Sequence, residues 1–340
     1  MIRTIAQPKC PVCNTAGVYL YGKLTDELFQ SEGTWSMKRC NALDCGTLWL
    51  DPTPLPDDLK ILYNTYSTHV RPPQEKSVSK KTFLDRVREA IWYRTLGYPT
   101  KNSSITTWWY NFISFLHPAW RDTQQAMLFY LPYKAGGRLL DIGCGNGSSM
   151  QIMKTHGWMV EGIDFDEKSI AQANENGLTS AVGELHDFHY PDNSFDAIMT
   201  NHVIEHIPQL ESFIRECLRI LKPEGTLIAI TPNADSLGHL RFEQDWRGLE
   251  VPRHLQIFTA PSLFLLADKT GFTHIESFTS TQGILQIYDE SAYRKKHGIP
   301  LLTLSSTANR IRFHRRWFFA GWRHYFLPKL SEVAVLRCQK

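Results

Sequence analysis

Four cysteines open the chain as two close pairs, Cys10-Pro11-Val12-Cys13 and, after 26 residues, Cys40-Asn41-Ala42-Leu43-Asp44-Cys45. Two short-spaced pairs on turns can close a tetrahedron of thiolates around zinc at about 2.3 Å per sulfur. A segment of ~45 residues buries too little to fold well alone, and a metal would supply the missing stability. Four thiolates leave no coordination position for catalysis, so such a zinc would be structural or lie near a substrate. The other cysteines, Cys144, Cys217 and Cys338, are scattered.

A second group of residues points to a nucleotide-like ligand. Asp141-Ile142-Gly143-Cys144-Gly145-Asn146-Gly147 follows a short apolar run and precedes a helical pattern. Glycines there let the backbone turn sharply and approach a ligand closely. The dinucleotide fingerprint wants its third glycine where this chain has Ser148, which disfavours a dinucleotide pyrophosphate. Asp164 lies 21 positions past Gly143, at the end of the next apolar run. A carboxylate there can accept both ribose hydroxyls of an adenosine.

These groups need a frame. Strand patterns fall at 138–142, 159–164, 179–182, 195–200, 226–230, 274–278 and 332–337, with helical patterns between them. Strand–helix alternation at this spacing predicts an α/β fold, a doubly wound, parallel, Rossmann-like sheet of seven strands. Residues 1–52 form the cysteine-bearing unit. Residues 53–134 combine a proline-rich linker with an aromatic helical segment. Residues 135–340 hold the sheet, with a helical insertion at about 283–330.

The 340 residues carry a net charge of +3 and 42% hydrophobic residues. That is ordinary globular composition, too mildly basic to argue for nucleic acid. No apolar run approaches the ~20 residues of a spanning helix. The first residues lack the apolar centre of a signal peptide. The expected location is cytoplasmic, where disulfides are not expected.

On these motifs residues 137–230 resemble the class I S-adenosylmethionine-dependent methyltransferases. The likeness rests on Leu139-Leu140 through Gly147, Val160-Glu161-Gly162-Ile163-Asp164, Asn193-Ser194-Phe195-Asp196-Ala197-Ile198-Met199, Asn201-His202-Val203-Ile204-Glu205-His206-Ile207 and Leu221-Lys222-Pro223-Glu224-Gly225-Thr226-Leu227. The resemblance implies S-adenosyl-L-methionine as cofactor. Asp141 and the turn Gly143, Cys144, Gly145, Asn146, Gly147 would hold its methionine part, Asp164 its ribose and Phe165 its adenine. Glu184 would stand near the adenine amine, with Asn201 also in the cofactor site. The cysteine pairs, followed by Leu48-Trp49-Leu50-Asp51-Pro52 and a Pro-Asp-Asp-Leu helix start, resemble a zinc ribbon. Such ribbons precede methyltransferases of bacterial polysaccharide and natural-product pathways.

Methyl transfer from a sulfonium is an in-line displacement, and a hydroxyl acceptor benefits from a general base. Ligands bind beyond the carboxyl ends of the strands. His202 follows the fourth strand, and a long loop with Asp245-Trp246-Arg247 and Val251-Pro252-Arg253-His254 follows the fifth. A similar loop pattern occurs in the resembling methyltransferases. His254 is the expected base, His202 a second candidate, and Arg253 and Trp246 are expected at the acceptor. His202 and His206 have a metal-ligand spacing, with no third ligand evident in the sequence. The expected reaction is O-methylation of a sugar, glycan or pathway metabolite, free or lipid-linked. The alternatives are N- or C-methylation of a small molecule, or a catalytically silent subunit docking through its ribbon. The basic, aromatic stretch 310–326 reads either as a lid or as a peripheral membrane contact. Oligomeric state stays open.

Overall fold

The computed structural model describes residues 2–63, 82–100, 104–115, 118–298 and 328–340. Its centre is a seven-stranded sheet of β6 (Arg138–Ile142), β7 (Met159–Asp164), β8 (Thr179–Val182), β9 (Phe195–Asn201), β10 (Leu221–Pro232), β12 (Thr273–Ser280) and β13 (Val333–Gln339). The order is β12-β13-β10-β9-β6-β7-β8. Six strands run one way. β13 enters antiparallel between β10 and β12, which corrects the expectation of a wholly parallel sheet.

Central strands read as unbroken apolar runs because helices cover both faces. All of β9 except its last residue is buried. The helix α6 (Leu210–Ile220) shows the matching stripe, burying Leu210, Phe213, Ile214, Cys217 and Ile220. Asp166 caps α5 (Glu167–Glu175). A Thr259–Ser262 capping box starts α8 (Ala260–Thr270), which ends on left-handed Gly271. α4 (Ser148–Thr155) also packs on the sheet, whereas α7 (Leu237–Phe242) and α9 (Ile284–His297) pack on each other.

Ahead of the sheet stand α1 (Phe83–Leu96), α2 (Ser104–Phe115) and α3 (Pro118–Ala126). α2 exposes Trp108, Trp109, Phe112 and Phe115. Stretch 310–326 lies outside the described residues, so the lid and membrane readings stand as they were. Among the described residues no helix is long and apolar enough to cross a membrane.

The cysteine-bearing unit is built of β2 (Gly17–Leu24), β3 (Trp35–Cys40) and β4 (Leu48–Leu50), with the short pair β1 (Thr4–Ile5) and β5 (Thr53–Pro54) beside it. Its sheet takes a fourth strand from the other half of the chain. β11 (Gln256–Ile257), from the loop between β10 and α8, pairs with β4 at Gln256–Trp49 and Ile257–Leu48. Leu24, Trp35, Met37, Leu48 and Leu50 share one core with Phe242, Trp246, Leu249, Val251 and Leu255. Cys10, Cys40, Cys45 and Trp49 join the core of the main sheet. The front unit is therefore packed into the sheet-bearing part rather than tethered to it.

Candidate active site

The turn after β6 passes through Gly143, Gly145 and Gly147, all at positive φ (+73°, +52°, +81°). The amides of Gly143 and Cys144 donate to the Ile163 carbonyl, which lashes the turn to β7. The three glycines do different work. A Cβ on Gly143 would meet Val203 Cγ2 at 2.3 Å, and one on Gly147 would meet Leu178 Cδ1 at 2.3 Å. A Cβ on Gly145 would have no heavy atom within 4 Å. Gly145 therefore presents bare backbone to open space.

Two carboxyl groups frame that space. Asp164 accepts from the Gly145 amide through Oδ2 and from the Asp166 amide through Oδ1, each at 2.9 Å. Burial raises its pKa, and these amide bonds pull it partly back. Asp141 is 2% exposed and its Oδ2 has no hydrogen-bond partner. Burial, then the charge of Asp164, pushes its pKa well up. A buried, unpartnered carboxyl beside a second acid calls for a cation. An α-ammonium on the ligand meets that demand, and a ribose diol suits Asp164. The donor set thus fits S-adenosylmethionine.

Other expected contacts differ in kind. Phe165 is 43% exposed and lies edge-on to Tyr63 at 4.8 Å between ring centroids. Glu184 is exposed beyond the end of β8, where the Gly183 amide donates to the Asp164 carbonyl at 2.9 Å. Its backbone amide donates to Asp187 Oδ2 at 2.8 Å at the head of the short turn Leu185–Phe188. Asn201 ends β9 with a buried, unpartnered Oδ1. Two side chains of the turn meet neighbouring residues. Asn146 Oδ1 accepts from the Ser148 amide and hydroxyl, and Cys144 is buried beside Gly162.

The acceptor side departs further from expectation. Trp246 is fully buried and donates from Nε1 to Glu332 at 3.0 Å. Arg253 is fully buried too, bonded to Asp26 and Glu250 and stacked on Phe29. Neither side chain has a surface left for an acceptor, because both serve the joint core. His254 is 5% exposed, with Nδ1 2.8 Å from the Gly248 carbonyl oxygen. Burial lowers its pKa to about 4, against the pull of Glu250. It lies behind the site rather than on its wall.

His202 is the accessible histidine, with 43% of its side chain open. Its φ of +57° is uncommon for a residue with a side chain, and its amide donates to the Ile230 carbonyl at 2.8 Å. Nδ1 lies 3.3 Å from Oε1 of Glu205, whose side chain is fully buried. Burial opposes a charge on Glu205, yet the His202 hydrogen bond and the neighbouring His206 hold its pKa at about 2. Burial likewise opposes charge on His202, and Glu205 outweighs it, so that pKa is raised. Glu205 was not singled out in the sequence. The spacing His202-x2-Glu205-His206 on one tight turn was the available signal.

Residues 112–277 match the methyltransferase domain family. The chain carries a methyltransferase domain. The match begins within α2, ahead of the sheet. The sheet order and the turn after β6 give this domain the class I, S-adenosylmethionine-dependent fold. The 27-O-demethylrifamycin SV methyltransferase of Amycolatopsis mediterranei is 37% identical over 106 residues, 28% of this chain and 39% of that protein. Ajmaline N-methyltransferase of Rauvolfia serpentina is 31% identical over 109 residues, 29% of this chain and 38% of that one. The chain thus spans well under two thirds of either relative. Among solved structures, a SAM-dependent methyltransferase from Archaeoglobus fulgidus is 20% identical with a TM-score of 0.45, covering 64% of this chain and 92% of that one.

Proposed function

We propose that this chain transfers the methyl group of S-adenosylmethionine to an oxygen of a small acceptor, such as a sugar, a glycan or a pathway metabolite. The observation that carries the cofactor is the pair of carboxyls, Asp141 and Asp164, around the uncovered backbone of Gly145. When bound, the cofactor supplies an electrophilic methyl on sulfonium sulfur. The residues of the chain do the rest. Asp141 binds the ammonium, Asp164 the ribose hydroxyls, and the turn fixes the direction in which the methyl points.

The oxygen acceptor is favoured by His202 and Glu205. An accessible imidazole, oriented from behind by a buried carboxylate, is built to take a proton. A neutral amine acceptor would barely need it. His202 Nε2 would remove the acceptor proton, while Glu205 holds the ring and stabilises its charge. This assigns the base to His202 in place of His254.

The four cysteines would hold a structural zinc. Cys10 and Cys45 sulfurs lie 3.7 Å apart, Cys13 and Cys40 sulfurs 3.2 Å. All four lie within 4.8 Å of one another. A zinc tetrahedron at about 2.3 Å per bond sets sulfurs about 3.8 Å apart, so the set needs only small adjustment.

Calorimetric titration with S-adenosylmethionine tests the reading, comparing the natural chain with Asp164→Ala. Micromolar binding that weakens at least tenfold in the variant is expected. A well-folded, zinc-loaded chain that binds none would point instead to a silent docking subunit.

A further inference from the structure

Behind His202 the structure gathers three groups that the methyl-transfer reading does not use together. Glu205 and His206 lie on the turn Ile204–His206 after β9. His254 comes from the long loop after β10, 48 positions further on. Ligand-capable atoms of the three lie within 4.8 Å of one another, and the two imidazole centroids are 4.8 Å apart.

The hydrogen bonds around them are those of a ligand set. His206 Nδ1 lies 2.9 Å from the Arg253 carbonyl oxygen and 3.0 Å from the Tyr63 hydroxyl, which then accepts as well, and His254 Nδ1 lies 2.8 Å from the Gly248 carbonyl oxygen. A carbonyl only accepts, so each Nδ1 carries the proton and each Nε2 keeps its lone pair. Metal-binding histidines are oriented in this way. Glu205 uses Oε1 towards His202, while its Oε2 is buried with no partner.

We propose that Glu205, His206 and His254 form a site for a divalent transition-metal cation, of the two-histidine, one-carboxylate kind. Ligand atoms at about 2.0–2.1 Å from zinc stand about 3.4 Å apart, so the groups close by roughly an ångström on binding. Three protein ligands leave one position open. A hydroxyl placed there would give up its proton more readily. That last role rests on the proposed reaction, whereas the metal site itself does not.

The site is separate from the four-cysteine site in ligand chemistry, and Co²⁺ distinguishes them. The full chain, its cysteine site loaded with zinc, is titrated with Co²⁺ in the absence of S-adenosylmethionine. The expected result is one further equivalent per chain, with visible absorption but no sulfur-to-cobalt charge-transfer band. Glu205→Gln and His254→Gln should each weaken that binding at least tenfold, with S-adenosylmethionine affinity and near-ultraviolet circular dichroism reporting that the variants remain folded. No further equivalent in the natural chain overturns the proposal, whatever the variants do. So does an equivalent that carries the thiolate band or survives both substitutions. Cofactor affinity is read separately, so loss of the methyltransferase reading would show as absent S-adenosylmethionine binding with the cobalt result intact.

Discussion

Arg253 closes on Asp26, 227 positions away, through two parallel hydrogen bonds of 3.0 Å. Both side chains are within 1% of complete burial. Asp26 also accepts from the amides of Leu28, Phe29 and Ser31, so one carboxylate shapes the β2–β3 turn and anchors the loop after β10. Burial works against the Asp26 charge, and the Arg253 bonds overcome it to lower its pKa.

Removing one partner strands the other. Asp26→Ala leaves a buried guanidinium with Glu250 and the Leu62 carbonyl as its remaining acceptors, and breaking a buried pair costs about 3–5 kcal/mol. The variant should unfold well below the natural chain in a thermal melt. Replacing both partners by apolar residues, Asp26→Leu with Arg253→Met, should recover much of the loss. A double variant as unstable as the single one would mean that the carboxylate matters mainly for the turn amides.

The sequence carried the sheet and the cofactor side because those signals are local. A strand, a glycine turn, a helix and an acid at the next strand end all lie within 138–164. The acceptor side was less legible because its logic is long-range. Arg253 and Trp246 have the polarity and size of binding residues, and only the fold shows them committed to Asp26 and Glu332. His254 could not be told from a catalytic histidine while its burial was unknown. Glu205 was hidden for the opposite reason: a lone acid after a strand looks like solvent-facing charge until three histidines are folded around it. β13 was legible as a strand, but an apolar run does not state its direction.

A pH dependence follows from Asp196 at the start of β9. It takes Lys134 at 2.7 Å, Lys222 at 2.8 Å and the Arg138 amide at 2.9 Å. Burial alone would raise its pKa, but these partners hold it at about 2. The unfolded value is near 4, so the folded value is depressed. Its contribution is complete above about pH 4 and fades as pH falls towards 2. Asp196→Asn should therefore cost about 1–2 kcal/mol at pH 7, discounted because Lys134 is half exposed. Urea unfolding should show the difference narrowing by pH 2.5. A gap that persists there would assign the loss to packing.

Loss of the proposed metal from the cysteine site should be felt in the main sheet. β11 belongs to the loop that leads into α8, and the Thr259 hydroxyl donates to the Cys45 carbonyl at 2.5 Å. Chelation, or Cys45→Ser, should lower the melting temperature of the whole chain in one transition. Two separate transitions, with the sheet melting unchanged, would show that the front unit folds on its own account.

Gly143 and Gly145 make the sharpest pair of substitutions, because only one of them faces protein. Both sit at positive φ, where an alanine costs about 1–2 kcal/mol. Gly143→Ala adds to that a Cβ 2.3 Å from Val203. It should lower the melting temperature by several degrees more than its neighbour does, since overpacking costs about 1–3 kcal/mol. Gly145→Ala meets no protein atom within 4 Å, so its melting temperature should fall only by the backbone strain. Its Cβ projects into the open space beside the turn where the proposed cofactor would rest, and S-adenosylmethionine affinity should drop at least tenfold. If Gly145→Ala binds the cofactor normally, the uncovered backbone is not where the ligand rests, and the two carboxyls need another explanation.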